Sequence, residues 1–150
     1  MLQVPESWLG KVMTVRGLIS PDEMGVTLPH EHMLVHHQGP LVDIVDPILA
    51  REGLQSFARF GGRTVIDMTN VGLGRDPLLL KRMSAEASVH IIMATGYYKD
   101  AWLPAGTHDL TVDEMTQVMV REIVDGVGDE RIHAGVIGEI GVSRPITPTE

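Results

Sequence analysis

The feature that most constrains the fold is a regular alternation of short apolar runs with segments of helical periodicity. The runs at 64–68, 89–95 and 134–139 are largely apolar at successive positions, as expected of strands buried on both faces. Between them, residues 76–87 and 111–123 carry apolar side chains every three to four positions and open with helix-start signals. Strands that alternate with helices in this way predict a parallel α/β sheet.

The N-terminal third of the chain gives weaker signals. Residues 12–19 predict a first strand that Gly17 interrupts, and residues 36–47, which contain three Gly and Pro residues, predict a loop. Apolar residues at helical spacing between 54 and 60, followed by Gly61-Gly62, predict a helix and its C-terminal end.

Composition narrows the classes of partner. The chain has 150 residues, 43% of them hydrophobic, which suits one domain with a buried core. Its net charge is -8 and no cluster of Lys and Arg appears, which argues against nucleic acid and anionic membranes as partners. The chain shows neither the apolar core of a signal peptide nor a run of about 18 apolar residues that could span a membrane. We therefore expect a soluble, cytoplasmic protein.

Two histidines form the first candidate site. The chain has no cysteine, so any metal must be held by imidazole and carboxylate groups. His30 and His32 are two positions apart on a predicted strand, so both imidazoles point to one side while Glu31 points to the other. Hydrogen-bonded polar residues at a strand end would give the same pattern, so the spacing leaves metal binding and a structural role both open.

Glu139 ends the apolar run 134–139. A carboxylate on a buried strand costs free energy unless it is paired or bound to a metal. In a barrel it would reach the same rim as His30 and His32, where the chemistry of such folds is found. Considered alone, a solvent contact or a pairing with arginine is the more common outcome. Asp67, near the end of the run 64–68, is expected to be a structural hydrogen-bond acceptor rather than a partner of metal ligands.

Three aromatic residues, Tyr97, Tyr98 and Trp102, follow the run 89–95. Aromatic side chains in a loop at the catalytic end of a barrel often shape an apolar substrate pocket. Ordinary packing within the loop explains the same residues equally well.

Segments in order along the chain resemble segments of phosphotriesterase-like proteins in the amidohydrolase superfamily. They lie at 15–17 with 25–32, 64–67 with 72–76, 94–98, and 134–141. Several motifs in the right order are far more specific than any one of them. The resemblance implies the N-terminal half of a (β/α)8 TIM barrel, with residues 1–150 forming a partial metal-dependent hydrolase barrel that stops after the fourth strand.

The resemblance also implies a metal site. The family binds two divalent metal ions, usually zinc, and His30 and His32 would ligate the more buried one. Glu139 stands where many members carry a carboxylated lysine that bridges both ions, so the chain resembles a glutamate-bearing subgroup. Tyr98 matches an aromatic residue beside the metals and the substrate. The family's remaining ligands, two histidines and an aspartate, come from the second half of its barrel.

The intact parent is therefore expected to hydrolyse ester, lactone, phosphotriester or amide bonds of a small-molecule substrate with a metal-activated water. A homodimer of the intact parent is also compatible with the resemblance. One alternative is a non-catalytic half-barrel that lacks the remaining ligands. A capping-box signature at residues 147–150 favours a chain that stops where a helix begins, although a frayed tail would look the same. A complete small α/β binding domain is a weaker alternative, because it ignores the ordered motifs.

Overall fold

The computed structural model describes residues 4–36 and 46–150, and it contains a small hairpin followed by a parallel sheet. The hairpin strands are β1 (Val12–Thr14) and β2 (Gly17–Ile19). The sheet strands are β3 (Val26–Glu31), β4 (Gly62–Asp67), β5 (His90–Thr95) and β6 (Val136–Ile137), in that spatial order. The helices are α1 (Pro47–Arg59), α2 (Pro77–Ala87) and α3 (Val112–Val124). Each pair of neighbouring sheet strands is parallel, which confirms the predicted α/β class.

Local capping explains where two of the helices begin. The Asp76 carboxylate accepts a hydrogen bond from the Leu79 amide at the start of α2. At the start of α3, the Thr111 hydroxyl accepts from the Glu114 amide and the Glu114 carboxylate accepts from the Thr111 amide. These bonds satisfy amides that have no partner inside the helix. Both helix starts lie where the sequence predicted them.

The N-terminal third differs from the prediction in two places. Residues 12–19 form a hairpin rather than one strand, with the Thr14 hydroxyl donating to the Gly17 carbonyl across the turn. Helix α1 begins at Pro47, earlier than expected, because the Asp46 carboxylate accepts from the amides two and three positions further on. Most of the predicted loop, residues 37–45, lies outside the described residues.

One hydrophobic core fills the space between the sheet and the helices. Its buried members come from both layers: Leu54, Val65, Leu80, Met83, Val89, Ile91 and Met93 among others. Because the sheet strands are parallel, all their carboxyl ends lie at one rim of the curled sheet. The core packs the helices against the sheet and so holds that rim in place. None of the helices within residues 4–36 and 46–150 combines the length and the apolar character that a membrane span requires.

A buried ion pair joins the loop after β4 to α3. The Arg75 guanidinium, 3% exposed, donates to both carboxylate oxygens of Glu122 at 2.7 Å and to the Ala94 carbonyl at 2.8 Å. The Thr95 hydroxyl donates to the same carboxylate. Burial raises the pKa of Glu122, but these hydrogen bonds and the guanidinium charge outweigh it and hold the pKa below its ordinary value. The pair therefore holds this rim loop against β5 and α3.

Candidate metal centre

The side chains of His30, His32 and Glu139 meet at the carboxyl ends of the parallel strands. The Nε2 atom of His30 lies 3.4 Å from Oε2 of Glu139, and Nε2 of His32 lies 3.3 Å from Oε1. The three ligand atoms all lie within 4.8 Å of one another. The structure thus brings together the three side chains that we predicted as metal ligands. The histidines come from one edge of the sheet, at β3, and Glu139 comes from the other edge, after β6.

The two histidines are placed by β3. His30 lies within the strand and His32 lies just beyond its last residue, Glu31. Their ring centroids are 5.4 Å apart with the planes inclined at 68°. Alternation along extended backbone therefore presents both imidazoles to the same region, as the two-residue spacing predicted.

Glu139 lies outside regular strand structure. The sequence predicted a strand over 134–139, but β6 covers only Val136–Ile137. The amide of Gly138 donates to the Thr95 carbonyl at 2.7 Å, so β5 still holds the main chain next to Glu139. The prediction that Glu139 ends a strand was wrong by two residues, while its expected position at the rim agrees with the structure.

The geometry fits ligands that share a divalent ion. Charge-assisted N–H···O bonds usually measure about 2.7–2.9 Å, so separations of 3.3 and 3.4 Å are long for direct hydrogen bonds. Two atoms that each lie about 2.0–2.2 Å from one tetrahedral zinc ion stand roughly 3.3–3.5 Å apart. Imidazole nitrogen and carboxylate oxygen are also donors that zinc and similar divalent metals accept. The side chains of this rim are therefore suited to such an ion.

Asp67, the last residue of β4, forms hydrogen bonds with the main chain next to the site. The Asp67 carboxylate accepts from the amides of Met33 at 2.8 Å and Thr69 at 2.9 Å. Burial raises the pKa of Asp67, and these hydrogen bonds offset only part of that effect. Asp67 therefore acts as a structural acceptor, as the sequence favoured. It holds the main chain on either side of the rim in one arrangement.

Two further residues contact the candidate ligands and were missed from the sequence. The Thr69 hydroxyl lies 3.0 Å from Nδ1 of His32, and the Asn70 side chain donates to the Glu139 carbonyl at 3.1 Å. Both residues are buried. The one available signal was their position directly after the strand that the sequence predicted at 64–68.

Tyr98 lies in the loop after β5. Its ring centroid is 5.2 Å from that of Trp102, the Lys99 ammonium lies 5.3 Å from its centroid, and its ring packs closely against Gly141. The loop contributes to a largely apolar cavity of about 220 Å³, whose lining includes Tyr97, Tyr98, Leu103, Met115, Met119 and Ile140. Ile140, the residue after Glu139, is part of this lining. A contact between Tyr98 and substrate stays a prediction.

Comparison with known proteins identifies the family of this chain. Residues 10–150 match the phosphotriesterase family. The chain is 34% identical to N-acetyltaurine hydrolase of Xenopus tropicalis, over 94% of this chain and 50% of that protein. It is 33% identical to a phosphotriesterase-related protein of Nematostella vectensis, over 94% of this chain and 51% of that protein. The chain thus spans about half the length of the curated relatives it matches.

Solved structures give the same answer for the fold. A resiniferatoxin-binding protein from Rhodobacter sphaeroides superposes with a TM-score of 0.87 and 30% identity, over 93% of this chain and 49% of the other. A mutant phosphotriesterase-like lactonase from Deinococcus radiodurans superposes with a TM-score of 0.76 and 29% identity, over 92% and 47%. These barrel neighbours confirm the predicted half of a (β/α)8 barrel. The family match and the shared fold together show that this chain belongs to the phosphotriesterase family.

Proposed function

We propose that this chain supplies the first part of the metal site of a hydrolase, in which His30, His32 and Glu139 hold divalent metal, expected to be two zinc ions. The observation that carries the proposal is the approach of two imidazole Nε2 atoms to the two oxygens of one carboxylate, at 3.4 and 3.3 Å. Membership of the phosphotriesterase family supports the same reading.

The proposed reaction is hydrolysis of an acyl or phosphoryl bond in a small molecule. When bound, a divalent ion lowers the pKa of a water molecule and polarises the oxygen of the bond to be cleaved. The names of the relatives favour acyl bonds within this range, since one curated relative is an N-acetyltaurine hydrolase and one structural neighbour is a lactonase. We therefore place amides and lactones ahead of phosphotriesters as substrates.

The residues of this chain would bind the metal and leave the site open to substrate. The Glu139 carboxylate, whose oxygens lie 3.4 and 3.3 Å from the two Nε2 atoms, would hold the metal together with His30 and His32. Its negative charge would offset the charge of the metal. The His30 side chain is 49% exposed in this chain, and substrate is proposed to approach the rim on this side. Tyr98, in the neighbouring aromatic loop, is proposed to contact the substrate.

Zinc binding by the chain tests this proposal directly. Wild-type chain should bind zinc in competition with a chromogenic chelator, and His30→Ala and Glu139→Gln should each weaken binding at least tenfold because each removes or weakens one ligand. His90→Ala is the matched control, since His90 lies at the amino end of β5, opposite the rim. Binding that is unchanged in both site variants, or lost equally in the control, would contradict the proposal.

A further inference from the structure

The carboxyl end of β4 contacts both parts of the sheet that carry candidate ligands. We propose that Thr69 and Asn70 are positioning residues: Thr69 fixes the imidazole of His32, and Asn70 fixes the main chain of Glu139. The inference rests on the proposed function, because it takes these two side chains as metal ligands. It assigns roles to two buried residues that do not themselves hold the ion.

Thr69 determines which nitrogen of His32 faces the site. Its hydroxyl lies 3.0 Å from Nδ1, while Nε2 lies 3.3 Å from Glu139. A ring nitrogen binds a metal ion only when it carries no proton, and the Thr69 hydroxyl oxygen can accept from a proton held on Nδ1. In that tautomer the lone pair is on Nε2, which is the atom that faces the proposed ion.

Thr69 is itself held in place. Its amide donates to Asp67 at 2.9 Å, and the same carboxylate accepts from the amide of Met33, the residue after His32. Thr69 is 1% exposed and Asp67 is 0% exposed, so water does not compete for these bonds. Asp67 therefore holds the main chain of Thr69, and the Thr69 hydroxyl contacts the His32 imidazole at the rim.

Asn70 performs the corresponding task for Glu139. Its side-chain nitrogen donates to the Glu139 carbonyl at 3.1 Å, and the orientation of the amide follows because a carbonyl only accepts. Glu139 lies two residues beyond β6, where no strand ladder holds it. The bond from Asn70 reaches it from the end of β4, past the intervening strand β5. The Asn70 side chain thus fixes the main chain of Glu139, which lies beyond the last paired residue of β6.

Metal affinity separates positioning from plain structural support. Partners of this kind typically change metal affinity by about 10–100-fold, so Thr69→Val should weaken zinc binding of the chain by that factor. Thr69→Ser, which keeps the hydroxyl, should restore most of it. Asn70→Leu, which removes the donor, should weaken binding about tenfold or more. The Co²⁺-loaded Thr69→Val chain should also show an altered visible absorption spectrum, because the His32 ring is no longer held in one orientation.

Thr64→Val is the matched control. Thr64 lies within β4, the strand that precedes Thr69, is 0% exposed, and its hydroxyl donates to the Met24 carbonyl at 2.7 Å. This substitution removes an equally buried hydroxyl that contacts no candidate ligand. It should lower the free energy of unfolding about as much as Thr69→Val and leave zinc affinity unchanged. Equal zinc affinity in the Thr64 and Thr69 variants, with wild type binding zinc, would overturn the positioning role.

A measurement on the unmodified chain keeps the inference testable if a variant does not fold. In zinc-loaded wild type, imidazole ¹⁵N shifts should show His32 with its proton on Nδ1 and the metal on Nε2. Metal bound through Nδ1 would overturn the role of Thr69. If wild-type chain binds no zinc at all, the proposed function fails, and the positioning inference fails with it. Zinc binding by wild type with an unaffected Thr69→Val variant overturns the positioning inference alone.

Discussion

Removing Glu122 tests how much the buried ion pair at the rim contributes to stability. In Glu122→Ala, the Arg75 guanidinium stays 97% enclosed in the native packing but loses both carboxylate bonds, and the Thr95 hydroxyl loses its acceptor. A buried pair broken by removal of one partner typically costs about 3–5 kcal/mol, because the remaining charge is left uncompensated. Glu122→Gln keeps the shape and one acceptor, so we expect a smaller loss of about 1.5–3 kcal/mol.

The matched control is the exposed pair Lys81–Glu130. Its N···O distance is 2.8 Å, close to that of the buried pair, but the side chains are 39% and 53% exposed. Glu130→Ala should therefore change the free energy of unfolding by less than about 1 kcal/mol. The two substitutions remove the same kind of charge from contacts of similar length, so the difference between them measures burial.

Urea denaturation followed by circular dichroism gives the free energies. For a urea dependence of about 1.5 kcal/mol/M, Glu122→Ala should lower the midpoint by roughly 2–3 M at an unchanged slope. The pKa of Glu122 is lowered by folding, so its contribution is complete above the ordinary value of 4.5 and is lost as the pH falls through the depressed pKa. The difference from wild type should accordingly shrink in acid. Equal midpoints for Glu122→Ala and Glu130→Ala would refute the reasoning.

Three other predictions address the terminus, the glycines and turnover. Burial raises the pKa of Glu150, but hydrogen bonds from Ser143 and from main-chain amides outweigh burial and bring the pKa to about 2. A ¹³C carboxyl titration should find this value. The stabilising effect of Glu150 should vanish as the pH falls from 4.5 towards 2. A midpoint near 4.5 would contradict this. In Gly72→Ala the new methyl would overlap the Trp102 carbonyl, so unfolding should become easier by about 1–3 kcal/mol, whereas Gly53→Ala, in open space on α1, should stabilise the chain by about 1 kcal/mol. Denaturation midpoints that move in the same direction would be inconsistent with that contrast. Residues 1–150 alone should show no appreciable zinc-dependent hydrolysis of an aryl ester, because the relatives are about twice as long, and robust turnover would refute this.

The helix boundaries show what the sequence could and could not predict. The starts of α2 and α3 were predictable because capping depends on residues three positions apart. The start of α1 carries the same Asp-Pro signal, at Asp46-Pro47, but Pro47 was attributed to a loop. The hairpin at 12–19 was missed for another reason: its turn contains Val15 and Arg16, neither a characteristic turn residue, and its pairing becomes visible only between strands.

The candidate site divides in the same way. His30 and His32 followed from strand periodicity, and Glu139 followed from the rule that parallel strands end at one rim. Thr69 and Asn70 had no comparable signal, since their contacts join residues separated by 37 and 69 positions. Sequence periodicity predicts which way a side chain points, whereas partners across the sheet depend on register and curvature.

We expect His30, His32 and Glu139 to converge on one divalent ion. The most direct test is an anomalous diffraction map from crystals of the zinc-loaded chain, recorded on both sides of the zinc absorption edge. We predict a peak about 2.0–2.2 Å from Nε2 of both histidines and from a carboxylate oxygen of Glu139. Zinc found elsewhere, with these three side chains turned away from one another, would contradict it.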